Sequence, residues 1–200
     1  MESTEVTKRR ILDAARTRFT AYGFNKTTIA EIATDTSMSA GNIYRFFSCK
    51  HDIMAEMAVE YFRESEASQR EVLKISGISA TEKLTAFVVQ ILKSTHNLIV
   101  ETPKIGEIVD YVHENKRDLI NQHCDVQKSI LAEILAEGNK SGEFDLPEIL
   151  ATADIMLQTF MIFTDPSIVK KYSDHGASYE DLEKMANGVS SLIVNGIRKK

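Results

Sequence analysis

The sequence predicts an all-α fold: a three-helix N-terminal helix-turn-helix head over residues 1–50 and a body of about six helices over residues 51–200. Three observations predict it. Apolar residues recur every three to four positions through most of the chain, and no alternating strand pattern of useful length occurs. Capping signatures of the form Ser/Thr-x-x-Glu stand where such segments begin, at Thr28–Glu31 and Ser79–Glu82. All three prolines fall where helices would start or stop.

The first helix carries Ile11, Ala15, Phe19 and Tyr22 on one stripe and stops at Gly23. Thr28 opens a second, short helix, and Ser39 caps a third, AGNIYRFF, a few residues later. Two short helices this close have the spacing of a helix-turn-helix, which holds a short helix against DNA. A long helix is expected over about 51–74, with Ile53, Met57, Ala58 and Tyr61 on its inner side and Gly77 as its break. The Ser79 box opens a helix to about Val100, with Leu84, Phe87, Val88, Ile91, Leu92 and Leu98 apolar. Thr102-Pro103 is expected to start a short helix, with Thr102 as cap and proline in the first turn. A further helix spans about 115–139 and ends at Lys140-Ser-Gly142. Asp145-Leu-Pro-Glu148 opens the next, which stops before Asp165-Pro166. The last begins near Ser178 and runs to Arg198-Lys-Lys, cations suited to a helix C-terminus.

Composition narrows the class. Two hundred residues, 43% of them apolar, can bury a proper core. No stretch approaches the roughly 20 apolar residues that span a bilayer. MESTEVTKRRIL has no apolar core of a secretory signal, and two cysteines build no disulfide framework, so a cytoplasmic protein is expected. The net charge of −5 divides unevenly: residues 1–50 hold eight cations and five acids, a balance of +3. A basic head on an acidic body suits a protein that presents one end to phosphates.

The head also carries Phe19, Gly23, Phe24, Thr27, Thr28, Ile32, Ala33, Ser39, Gly41, Ile43, Tyr44, Phe46, Phe47 and Lys50 in order. This set resembles the DNA-binding domain of TetR-type (tetracycline-repressor-like) transcriptional regulators. Members read F-x-x-x-G-F/Y, then T-T/S-x-x-x-I-A, then S-x-G/A-x-I/L-Y-x-Y/H-F-x-x-K. The match covers about 45 of the 200 residues. One departure is Thr36-Ser37-Met38, where the family has a small-Gly-apolar turn. Serine at a position suited to positive φ implies a strained or reshaped turn.

A recognition helix needs small or polar residues at its N-terminal end to sit deep in the major groove, and Ala40, Gly41 and Asn42 meet that need. Asn42 can pair with an adenine edge, Ala40 can touch a thymine methyl, and Arg45 can reach a guanine or a phosphate. Thr27, Thr28 and Ser39 stand at helix starts, where hydroxyls and free N–H groups bind phosphate oxygens. Lys26 and Lys8-Arg9-Arg10 add salt-sensitive attraction. The resemblance implies phosphate contacts for Tyr44 and Lys50. Ile43, Phe46 and Phe47 read as core.

One head covers few base pairs, so a two-fold homodimer on a palindromic operator of double-stranded DNA is expected. Leu182, Met185, Val189, Leu192 and Ile193 form a stripe at helical spacing, Gly196 allows close approach, and Ile149 and Ala153 lie on a partner helix. With the resemblance, these define the expected dimer seam. The resemblance also implies a small-molecule effector in the body, with Met57, Tyr61, Phe87, Ile91, Tyr111, His123, Met156, Phe160 and Met161 as candidate lining. No cofactor, metal or membrane partner is expected. The histidines and Cys124 lack metal-ligand spacing, and no phosphate loop or nucleophile motif is present. Cys49 beside Lys50 is a candidate thiol switch. The expected function is a ligand-released DNA-binding repressor. The alternative is an interaction module that kept the fold without specific DNA binding.

Overall fold

A computed structural model describes residues 3–199. Among them the secondary structure is helical apart from one isolated antiparallel bridge, Phe144–Arg198. The helices are α1 (Thr4–Tyr22), α2 (Ile29–Asp35), α3 (Ala40–Ile43), α4 (Lys50–Glu71), α5 (Ala80–Glu101), α6 (Gly106–Asn115), α7 (Arg117–Ser141), α8 (Ile149–Thr159), α9 (Met161–Thr164), α10 (Pro166–Asp174) and α11 (Tyr179–Ile197). A 3-10 turn, Val72–Lys74, tightens the end of α4.

The chain divides into two compact units: Met1–Phe62 with Ile99–Arg117, and Arg63–Leu98 with Asp118–Lys200. This division differs from a boundary at residue 50, because α4 and α5 are each shared between the units. In the first unit, Ile11, Ala15, Phe19, Ile32, Ile43, Ile53 and Met54 are buried at 0–1% exposure and hold α1 to α4 around one core. In the second, Leu84, Phe87, Leu92, Ile130, Ile134, Phe160 and Phe163 are fully buried. Polar ties join its helices. The Lys83 ammonium, itself buried, donates to both carboxylate oxygens of Glu137 at 2.9 and 2.8 Å. Glu143 accepts from the free N–H groups of Ala80 and Thr81 at the start of α5, at 3.0 and 3.1 Å.

Several expectations are corrected. Eleven α-helices replace about nine among the described residues. The stretch after Asp145 breaks at Phe160, whose N–H is shared between Met156 O and Leu157 O. Asp165-Pro166 starts a helix as well as stopping one: the Asp165 carboxylate accepts from the Ser167 and Ile168 amides, and proline fits the first helical position. Thr102-Pro103 forms only a turn, Ile105 N–H to Thr102 O, and α6 begins at Gly106 without a side-chain cap. The third helix is four residues long because Arg45 and Phe46 bond three residues back, tightening the chain out of α geometry. Tyr22 is 57% exposed and lies beside the Arg18 guanidinium, outside the core stripe. At the C-terminus, α11 ends at Ile197 and Arg198 is extended, so it does not sit in a last helical turn; Lys200 lies outside the described residues.

Candidate nucleic-acid interface

The head is assembled from local caps and a few cross-links. In α2, the Thr28 hydroxyl caps the Glu31 amide while the Glu31 carboxylate accepts from the Thr28 N–H at 2.8 Å. These bonds, backbone first, hold the Glu31 carboxyl below its ordinary range. Arg18 of α1 ties α2 down through its Nη2–Asp35 Oδ1 bond of 2.8 Å and a contact of 3.4 Å to Glu31. That guanidinium likewise lowers the Asp35 carboxyl. The consequence is electrostatic: the two acids of α2 are paired with a cation already in place.

α2 ends in a Schellman turn, with Met38 N–H to Ala33 O at 2.8 Å and Ser37 N–H to Thr34 O at 3.0 Å. Ser37 takes φ +54°, the one positive φ outside glycine among the described residues. The turn therefore has the shape that glycine normally serves, built on a serine. Ser39 then caps α3 by accepting from the Asn42 amide at 3.2 Å. Ile43 and Phe47 are buried, at 0% and 5% exposure, and anchor α3 from beneath. Ser39, Gly41, Tyr44 and Arg45 are exposed, and Ala40 and Asn42 partly so.

An open cleft of about 540 Å³ lies among the starts of three helices. Thr28 and Ala30 line it from α2, Ala40 and Tyr44 from α3 and its cap, and Ser48, Cys49 and Lys50 from the start of α4. Lys26, Thr28, Ser39, Tyr44 and Arg45 are all solvent-accessible on this unit. Two expected phosphate ligands are differently placed. Thr27 is 1% exposed, and its hydroxyl donates to Gly23 O at 2.9 Å, so that hydroxyl is committed inside the fold. The Lys50 ammonium donates to the carbonyls of Phe24 and Thr27, each at 2.6 Å.

The segment around α6 belongs to this same unit. Glu107 accepts from the Asn25 amide at 2.9 Å, and Lys104 donates to Ala21 O at 3.0 Å. Phe24, His51 and Tyr111 form a chain of rings with centroids 5.0 and 4.7 Å apart. Sequence reasoning missed Arg18, Lys104 and Glu107. The last two act across more than 80 residues of chain and leave no local signature.

The candidate effector residues separate. Met57, Tyr61 and Tyr111 fall in the first unit, and Phe87, Ile91, His123, Met156, Phe160 and Met161 in the second. Phe87, Ile91, Met156 and Phe160 are buried; Met161 is 48% exposed and belongs to the surface. His123 Nδ1 lies 2.7 Å from Glu66 Oε1. Burial pushes this imidazole below its usual value, against the raising pull of Glu66. Of the expected seam, Ala153 and Leu182 are core residues at 0% and 1% exposure, whereas Ile149, Met185, Val189, Leu192, Ile193 and Gly196 remain at least partly accessible. The exposed apolar positions are Leu150 and Ile155 on α8 and Leu192 on α11. No group of three or more metal-ligating side chains occurs among the described residues. None of the described helices is long and apolar enough to cross a membrane.

A capped helix-turn-helix with an exposed polar edge, joined in one chain to a larger helical unit, defines a DNA-binding transcriptional regulator. Residues 11–57 match the family described as bacterial regulatory proteins, tetR family, and residues 80–198 match the tetracyclin repressor-like C-terminal domain. The chain belongs to the tetR family of transcriptional regulators. It is similar to the HTH-type transcriptional regulator QacR of Staphylococcus aureus, 24% identical over 201 residues that cover 96% of this chain and 98% of QacR. A transcriptional regulator from Cytophaga hutchinsonii has a similar fold, with a TM-score of 0.75, 21% identity and coverage of 94% and 97%. So does the fatty acid degradation regulator FadR from Bacillus halodurans, with a TM-score of 0.67, 21% identity and full coverage of both chains.

Proposed function

We propose that this regulator is a homodimeric repressor whose two heads read a palindromic operator and which a small molecule releases. The observation that carries the DNA-reading part is the start of α3. Ser39 caps it, Ile43 and Phe47 bury its underside, and Ala40, Gly41, Asn42 and Arg45 line its accessible edge. Small side chains let the helix enter the groove, and Asn42 is the base reader. Lys26, Thr28, Ser39 and Tyr44 serve the phosphates around it.

The dimer forms through the exposed faces of α8 and α11. Leu150 and Ile155 are each 68% exposed and Leu192 is 75% exposed. Gly188, Ser191 and Gly196, also on the outer face of α11, admit a second helix closely. Functionally the chain divides near residue 50, with the head reading DNA and the remainder supplying dimerisation and effector binding. The effector is largely apolar, received among Phe87, Ile91, Met156 and Phe160. It acts by favouring a conformation that grips the operator less well.

Selection from random duplex DNA at about 150 mM salt, with solution mass measured in parallel, tests this. An enriched palindrome bound by a species of twice the chain mass is the expected result. No enrichment by a folded, ligand-free dimer refutes operator reading and favours the interaction-module alternative.

A further inference from the structure

We infer, on the reading above that a small molecule enters the helical body, that this effector carries a hydrogen-bond donor on a largely apolar frame. The donor is a hydroxyl or an N–H group, and Gln69 receives it between α4 and α7.

Buried side-chain amides ordinarily have partners, because an acceptor taken from water and left unpaired gets nothing in return. Gln69 departs from this. It is 0% exposed, and its Nε2 donates to the Ser65 hydroxyl, one turn back on α4, at 2.9 Å. Its Oε1 is buried and has no hydrogen-bond partner. A side-chain carbonyl has two lone pairs, so this oxygen is wholly open to a donor.

Two polar ties bracket the residue. On one side, Glu66 Oε1 of α4 lies 2.7 Å from His123 Nδ1 of α7. On the other, the Lys83 ammonium of α5 lies 3.3 Å from Leu73 O, in the 3-10 turn that ends α4, and 2.8 Å from Glu137 of α7. Gln69 stands between Glu66 and Leu73, in the interval where α4 and α7 run side by side. To that interval α7 supplies Ile130 and Ile134, both 0% exposed, and a second buried amide, Gln127. Phe87, one turn along α5 from Lys83, is fully buried as well. An unpaired acceptor thus sits among largely apolar walls.

This arrangement selects. A wholly apolar molecule that enters here leaves Oε1 as unpaired as before, whereas a ligand O–H or N–H pairs it. A molecule that offers only an acceptor sets lone pair against lone pair. Pairing the oxygen also gives the ligand-bound conformation a bond that the free one lacks, and a population shift needs such a difference.

The experiment uses the full chain and two probe pairs, each a donor and its methylated counterpart: 2-naphthol with 2-methoxynaphthalene, and indole with 1-methylindole. Isothermal titration calorimetry compares them on wild type and on Gln69→Met, which keeps the side-chain length and removes the acceptor. Wild type is expected to bind each donor about tenfold more tightly than its methylated partner. In Gln69→Met the two members are expected to bind within about twofold of each other, which also controls for the bulk of the methyl group.

Equal binding of both members by wild type overturns the inference and leaves an apolar effector site in place. Tighter binding of the methylated members overturns it too. So does a donor preference that survives in Gln69→Met, since Gln69 then serves only the packing of α4. Binding of none of the four probes refutes the effector reading together with this inference. Should Gln69→Met not fold, the side-chain amide signal of Gln69 in the wild type, assigned by triple-resonance NMR, decides. It is expected to shift with indole and not with 1-methylindole. An equal shift with both, or with neither, overturns the inference.

Discussion

Replacing Gly138 by alanine tests how tightly the α7–α8 corner is built. Gly138 lies in the last turn of α7, where alanine would ordinarily favour the helix by about 1 kcal/mol. Here a Cβ would stand 2.1 Å from Cδ2, 2.3 Å from Cε2 and 2.9 Å from Cγ of Phe144. Ordinary carbon contacts lie near 3.5–4.0 Å, so the ring must retreat by roughly 1.5 Å. It has little freedom to do so. Phe144 is 2% exposed, its N–H is bonded to Gly138 O at 3.1 Å, and its backbone is bridged to Arg198. Overpacking that a core absorbs costs about 1–3 kcal/mol, and outright loss of a buried phenylalanine about 3–5. After the helix gain is subtracted, Gly138→Ala is expected to cost about 2–3 kcal/mol, which for a chain of this length lowers Tm by roughly 5–10 °C.

The assay is urea and thermal unfolding followed by circular dichroism, run as a double-mutant cycle with Phe144→Ala. If the clash is the cause, Phe144→Ala alone is costly, but adding Gly138→Ala to it stabilises by about 1 kcal/mol, as helix propensity alone dictates. A single Gly138→Ala variant that melts at or above wild type refutes the packing argument. A cost that persists without the Phe144 ring refutes its assignment to that ring.

Three further outcomes are expected. Ser37→Gly relieves a left-handed residue that costs about 1–2 kcal/mol and gives back part of this as chain entropy, so it stabilises by about 0.5–1 kcal/mol; a lowered melting temperature would count against strain at φ +54°. Glu143→Gln weakens the cap on α5 by about 1 kcal/mol at pH 7, after solvent screening is allowed for. Burial raises the Glu143 carboxyl, but the Ala80 and Thr81 amides and the Ser141 hydroxyl outweigh it and leave its folded pKa below the ordinary value. The contribution is therefore complete above about pH 4.5 and lost as pH falls through the folded pKa, so wild type and variant converge at acid pH below it in urea titrations at several pH values. Asn42→Ala changes the base preferred at one position of each half-site in repeated duplex selection, by about 1–3 kcal/mol of discrimination, and an unchanged preferred site removes Asn42 from base reading.

The parts of this structure that were legible in the sequence are those whose partners lie within one helical turn. Thr28–Glu31 and Ser79–Glu82 are capping pairs three residues apart, and each closes as expected. Ser37 was legible too, because positive φ at the end of a helix is a local demand on one residue. What failed was faces and partners. Helical periodicity identifies an apolar stripe but not which neighbour covers it. Leu182 and Leu192 read alike on α11, yet one is 1% exposed and the other 75%. The extra helix after Pro166 was missed for a related reason. Asp-Pro stops one helix by its ring and starts another by its cap, and a reader who uses the first property overlooks the second.

Lys50 shows the same limit at the site itself. The family resemblance implies a phosphate contact for this lysine and says nothing of its contacts within the fold. Its partners in the fold, Phe24 O and Thr27 O, lie 26 and 23 residues away and are backbone atoms, which no residue pattern encodes. Thr27 was expected to offer its hydroxyl from a helix start, but that hydroxyl is buried and donates to Gly23 O. Both residues meet the same segment, residues 23–28, where Lys50 takes the Phe24 and Thr27 carbonyls and Glu107 holds the Asn25 amide. A short connection fixed from both sides gives α2 one entry path.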